Sequence, residues 1–186
     1  MQEIPVESLK AEQNENSGKK DAVENTAERG QGDAAEEEAL RLSVGYATAA
    51  AEEISGDTAI SSGLPDGSLA LILSDGMGKG IRAAAESRAV ARRLRKNLKS
   101  GMKPAFAIKE VNRYMLDCEE ALHQAGPARC SGAAAGEAEC FATVDLLIID
   151  RNAAKAKFYK MGAASSFLLR NGKVKKFEQA ALPIGI

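Results

Sequence analysis

Several common chemistries depend on residues that this sequence hardly contains. Its three cysteines, Cys118, Cys130 and Cys140, are odd in number and have no C-x-x-C spacing. Neither a disulfide framework nor a zinc knuckle is therefore indicated, and the thiols are read as reduced. Cys118 also falls on an apolar helical stripe, which argues against a cysteine nucleophile. The single histidine, His123, sits at the end of the same stripe and is no anchor for a Ser-His-Asp set. No window approaches the roughly 18 consecutive apolar residues of a membrane span. The opening MQEIPVESLKAEQNENSGKK lacks the basic start and apolar run of a secretory signal. The chain is read as cytoplasmic, with no membrane span of its own.

What is present suits one ordinary domain: 186 residues, of which 45% are hydrophobic. Charge is unevenly spread. Residues 1–40 carry 11 acids and 4 bases, a net of −7, and the remainder carries a net of +6. The first segment is rich in Glu, Gln, Asn, Ala and Gly and poor in large apolar residues, so burial cannot offset its ordering entropy. Residues 1–40 are read as an acidic disordered arm or linker, with DAAEEEALRL as a marginal helix at its end, and residues 41–186 as the domain.

From Val44 onward, VGYATAAAEE and DTAISSGLPDGSLALILSD read as strands, the latter folded into a hairpin at Pro65-Asp66-Gly67. After Gly80, Ala84, Ser87, Ala91, Leu94 and Leu98 recur at helical spacing among seven basic residues, up to about Ser100. Gly101 ends that helix, and Pro104 opens the next, which runs to about Leu122 with a core stripe of Ile108, Val111, Met115, Cys118 and Leu122. His123 to Glu139 has the small-residue composition of a loop. CFATVDLLIID, KAKFYKMG, SSFLLR and KVKKFEQ then give four strands, the last two joined by an Asn171-Gly172 turn. Strands grouped apart from a helix pair indicate an α+β fold with antiparallel sheet. The final LPIGI, apolar and without a closing polar turn, reads as a domain cut part way.

The stretch SDGMGKG carries the chemistry. Gly76, Gly78 and Gly80 invite a nucleotide reading, but the dinucleotide fingerprint requires glycine where Ile81 stands, and a Walker A loop requires Lys-Ser/Thr where Ile81 and Arg82 follow Gly80. A bare phosphate at the helix N-terminus would be repelled by Asp75, and a cation resolves that conflict. Hard divalent ions select carboxylate, carbonyl and water oxygens. If the strands on either side of Pro65-Asp66-Gly67 pair, Asp57 at the head of one meets Asp75 at the end of the other. Gly76 then lets its own carbonyl approach a shared ion. The spacing alone fits two ordinary turn aspartates equally well.

Six stretches together, SGD at 55–57, SDGMGKGIRAAAES at 74–87, AIKEVNRYM at 107–115, FATVDLLIID at 141–150, KFYKMGAASSFLLRNGKV at 157–174 and LPIGI at 182–186, resemble the PPM-type serine/threonine phosphatase domain of stage II sporulation protein E. The resemblance spans roughly residues 44–186. It implies an αββα sandwich of antiparallel sheets flanked by helices, incomplete at the C-terminus here. It implies hydrolysis of phosphoserine or phosphothreonine by a water activated on two Mn²⁺ or Mg²⁺ ions, with a phosphorylated anti-sigma factor antagonist as substrate. Asp57 and Asp75 map onto metal-binding aspartates and Gly76 onto the carbonyl donor; no protein nucleophile is needed. The family's further ligand aspartates lie beyond the PIGI segment, so the chain by itself is expected to be weakly active or inactive. Asp145 and Asp150 are no substitutes: five residues apart on a strand, they face opposite sides, although Asp145 could line the site region. The helix pair after the turn is expected to act as a regulatory switch, with Gly78 and Gly80 as its hinge.

A non-catalytic regulatory or interaction module on the same scaffold is the alternative function. Nucleic-acid binding by the arginine-rich helix is not favoured, because its basic residues are dispersed around the helix and not interleaved with aromatics.

Overall fold

A computed structural model describes residues 2–5, 42–47, 54–125 and 140–186. Strand β1 (Gln2–Pro5) is followed by β2 (Asp57–Gly63), β3 (Leu69–Asp75), α1 (Gly80–Lys99), α2 (Pro104–Ala125), β4 (Val144–Asp150), β5 (Lys155–Met161), β6 (Ser166–Arg170) and β7 (Lys173–Phe177). The first five strands form one antiparallel sheet in the order β1-β5-β4-β3-β2, and β6 and β7 pair as a separate hairpin.

Alternation along β3 sets the two faces of the main sheet. Ala70, Ile72 and Ser74 are buried beneath the helices, while Leu69, Leu71, Leu73 and Asp75 belong to the opposite face. The β2–β3 connection has the expected turn chemistry. Asp66 Oδ1 accepts from the Ser68 N–H at 3.0 Å and from its hydroxyl at 2.6 Å, and Gly67 takes a positive φ of 81°. The Ser68 hydroxyl, then its N–H, hold the Asp66 carboxyl below its ordinary range.

Helix α1 buries Ala83, Ala84, Ser87, Val90, Ala91, Leu94 and Leu98. It stops where Gly101 turns to a φ of 83°, with Gly101 N–H on Leu98 C=O at 3.0 Å and Met102 N–H on Asn97 C=O at 3.2 Å, the paired bonds of a Schellman ending. Pro104 begins α2, where its missing N–H costs nothing. Ala107, Ile108, Val111 and Met115 join Val90, Leu94, Leu98, Ile72, Val144, Leu146 and Ile184 in one core between helices and sheet. Cys118 is only half-buried, and nothing is described of the Leu122 side chain.

The terminal LPIGI segment is part of this core. Ile184 is fully buried and exchanges two backbone bonds with Ala142, at 2.9 and 3.1 Å. The Gly185 N–H donates to Asn112 Oδ1 of α2 at 2.9 Å.

On the opposite face, Phe158 of β5 stacks on Phe177 of β7 with ring centroids 5.0 Å apart. Lys160, 2% exposed, donates to Asp145 Oδ2, to the Ala164 carbonyl at 2.7 Å and to Ser166 Oγ at 2.7 Å. These contacts hold the β6–β7 hairpin against the sheet. Its turn is the expected one, with Asn171 and Gly172 both at positive φ, 51° and 69°.

Three expectations need comment. Residues 44–47 of the first expected strand form no strand: Val44 and Tyr46 are exposed and no neighbouring edge pairs with them among the described residues. Residues 48–53 lie outside the described residues. Four residues of the acidic arm, Gln2–Pro5, form β1 against the open edge of β5, a pairing that composition does not register; the rest of that arm, including DAAEEEALRL up to residue 41, lies outside the described residues. The loop expected from His123 begins later, since α2 continues to Ala125, and residues 126–139 lie outside the described residues.

Candidate metal centre

The hairpin turn at Pro65-Asp66-Gly67 fixes the register of β2 on β3, and that register makes Asp57 and Asp75 direct cross-strand partners. Both belong to the sheet face turned away from the helices, at the edge where β3 ends. Asp75 keeps solvent exposure as a residue, yet partial burial pushes its carboxyl above the ordinary range, helped by the charge of Asp57 and a hydrogen bond between the two carboxyls. Two acids brought this close are driven to share a proton or a cation.

Gly76 extends the site by main-chain geometry. Its N–H donates to the Gly56 carbonyl at 3.2 Å. A Cβ on Gly76 would lie 1.9 Å from the Ala83 carbonyl oxygen, so α1 rests directly on this backbone and only glycine fits. The Gly76 carbonyl oxygen and Asp75 Oδ1 lie 3.4 and 3.7 Å from where a Cβ on Gly56 would stand, so both oxygens border the same small space. Helix α1 is held there by a 2.8 Å hydrogen bond between the hydroxyls of Ser87 and Thr58. Gly78 and Gly80, at φ of 91° and 68°, form the turn that leads from the site into α1.

Two carboxylates and a backbone carbonyl are oxygen donors of the kind a hard divalent cation takes, and their mutual repulsion fits a cation between them. Among the described residues, no group of three or more His, Cys, Asp or Glu side chains could hold a metal. Asp145 shares the face of Asp75, being the cross-strand partner of Leu73, but its Oδ2 is engaged by Lys160 and by Ser166 Oγ at 2.6 Å. Asp150 lies at the far end of β4, where Oδ1 accepts from the N–H groups of Asn152 and Ala153 at 3.0 and 2.9 Å. His123 lies on α2, and its side chain is outside the described residues.

Residues that sequence reasoning did not single out also shape the site. Thr143 bonds the main chain of Asp75, and Ala83 presses on Gly76. Neither has a local signal: an isolated threonine before a strand and one alanine in an alanine run are common, and their partners are set by strand pairing and helix docking.

Comparison with known proteins bears on the family and the fold. Residues 65–186 match the family described as Stage II sporulation protein E (SpoIIE). The chain is 34% identical over 133 residues to stage II sporulation protein E of Priestia megaterium, covering 72% of this chain and 20% of that protein. It is 36% identical over 148 residues to the protein of that name from Bacillus subtilis, covering 78% of this chain and 16% of the relative. The solved PP2C phosphatase domain of the cell fate determinant SpoIIE from Bacillus subtilis, with a fragment of its regulatory domain, aligns with a TM-score of 0.57 and 34% identity over 73% of this chain and 35% of that one. The antiparallel sheets and helix pair are those of that phosphatase domain. The chain spans 20% or less of the length of the curated relatives it matches.

Proposed function

The chain belongs to the stage II sporulation protein E family, and we propose on that premise that it carries part of the metal centre of a protein serine/threonine phosphatase. Asp57, Asp75 and the Gly76 carbonyl would hold Mn²⁺ or Mg²⁺. Such an ion supplies an acidified water and neutralises phosphoryl oxygens in the hydrolysis of phosphoserine or phosphothreonine. The observation that carries the reading is the Asp57–Asp75 register pair beside a glycine whose backbone lies under α1. The chain's own part is to present oxygens at one sheet edge: the hairpin sets the two carboxylates opposite each other, and the absence of side chains at Gly56 and Gly76 lets α1 and the Gly56 backbone approach the Gly76 main chain closely. The proposed substrate is a phosphorylated protein, an anti-sigma factor antagonist by resemblance. Gly78 and Gly80 are proposed as the hinge through which α1 adjusts the Gly76 carbonyl. No helix among the described residues is long and apolar enough to cross a membrane.

A second reading, a non-catalytic interaction module on this scaffold, is favoured by one observation: two carboxylates are the whole acidic set that the described residues bring together here. Calorimetric titration with Mn²⁺, followed by an assay on a phosphoserine protein, separates the two. The phosphatase reading expects Mn²⁺ binding that Asp75→Asn abolishes, with turnover no more than weak in the isolated chain. Binding unchanged in Asp75→Asn, or no binding, would sink it.

A further inference from the structure

Asp75 is held through its main chain, and one residue does the holding. The Thr143 N–H donates to the Asp75 carbonyl at 2.8 Å, Thr143 Oγ1 accepts the Asp75 N–H at 3.0 Å, and the Thr143 carbonyl accepts from Ser74 Oγ at 2.8 Å. In a regular antiparallel ladder, every second facing pair exchanges both bonds through its main chains, and the Thr143 N–H bond to Asp75 marks this as such a pair. Here the threonine hydroxyl takes the place of the carbonyl as acceptor for Asp75, and the carbonyl has turned to the Ser74 hydroxyl.

The consequence is specific to the carboxylate. The N–H of Asp75 belongs to the peptide before its Cα and the carbonyl to the peptide after it. With both pinned to Thr143, φ and ψ of Asp75 are fixed, and so is the direction of its Cα–Cβ bond. The carbonyl of Asp75 is also part of the peptide that carries the Gly76 nitrogen, so the same clamp orients the strand end from which the Gly76 carbonyl projects. The next residue back, Ala142, bridges Gly76 on one side and Ile184 on the other, which anchors Thr143 to the core.

We propose that Thr143 is a positioning residue for the divalent-ion site, its hydroxyl fixing the strand end that aims the Asp75 carboxylate. The inference rests on the reading of Asp57 and Asp75 as metal ligands. Removal of a group that orients a ligand commonly weakens metal binding about 10- to 100-fold. The conservative change that keeps the hydroxyl should not.

The test uses the 186-residue chain with Mn²⁺ alone as the probe, and the variants Thr143→Val, Thr143→Ser and Thr143→Ala. Calorimetry reads Mn²⁺ affinity, and amide exchange by NMR without metal reads protection of the Asp75 N–H. Thr143→Val should weaken binding by about tenfold or more and speed exchange at Asp75, while Thr143→Ser stays close to the parent in both. Thr143→Ala replaces the valine variant if that one does not fold. Unchanged Asp75 protection on loss of the hydroxyl overturns the clamp. Lost protection with unchanged Mn²⁺ affinity overturns the positioning role. Parent binding that is indifferent to Asp75→Asn overturns the metal reading itself, and the inference with it.

Discussion

At the scale of single residues, the candidate centre depends on two kinds of fit that differ in how far they can be read ahead. The meeting of Asp57 with Asp75 follows from a local hairpin: a turn residue set with a known geometry fixes the register, and the register fixes the pair. The close approach of Ala83 to Gly76 does not follow from any local pattern, because it depends on how α1 comes to rest on the sheet. Gly76→Ala tests that contact. The added methyl would lie 1.9 Å from the Ala83 carbonyl oxygen, and no flexible side chain is there to yield. Forcing extra volume into a packed site typically costs about 1–3 kcal/mol, so urea unfolding should show a loss of at least that size. The same change should weaken Mn²⁺ binding, since relief requires α1 or the Gly76 carbonyl to move. Stability equal to the parent would show that α1 does not press on this glycine.

At the scale of elements, both helices were legible because their signals are local and redundant. The apolar stripe of α1, the stop at Gly101 and the proline that opens α2 all point to the same boundaries, and the Schellman bonds at 97–102 satisfy the carbonyls of α1. Residues 44–47 were not legible as non-strand, since a short run of small and apolar residues pairs only when an edge is available. The link from the site to α1 passes through Gly78 and Gly80, whose positive φ values impose little cost on glycine. If that turn is a hinge, hydrogen exchange across residues 76–100 should slow when Mn²⁺ binds, because the ion draws the Gly76 carbonyl and the helix start into one arrangement. Equal exchange with and without the ion, under confirmed binding, would mean a rigid helix pair that covers the sheet.

At the scale of the whole molecule, an ion pair within the main sheet, its lysine buried, is tied to the β6–β7 hairpin through Ser166. Lys160 on β5 reaches Asp145 on β4 and Ser166 on β6, and the second oxygen of Asp145, Oδ1, is buried without a hydrogen-bond partner among the described residues. Removing one member of such a pair strands the other charge and typically costs about 3–5 kcal/mol. Lys160→Met should therefore unfold at markedly lower urea, and Lys160→Met with Asp145→Leu should recover most of the loss. If the double variant is no better than the single, the loss comes from the lysine's bonds to Ala164 and Ser166 and not from a stranded Asp145 carboxylate. The amino-acid sequence by itself determined the α+β class, the helix pair, the β2–β3 and β6–β7 hairpins and the convergence of Asp57 with Asp75, because periodicity, turn chemistry and register act over a few residues. Only the tertiary structure decided that Thr143, 68 residues from Asp75, grips its main chain, that Ala83 leaves room for glycine alone at position 76, that Ile184 closes the core and that Asp145 is engaged by Lys160. Those contacts join segments distant in the chain, and which atoms meet there is set by how strands and helices pack together, a property no single stretch of residues carries.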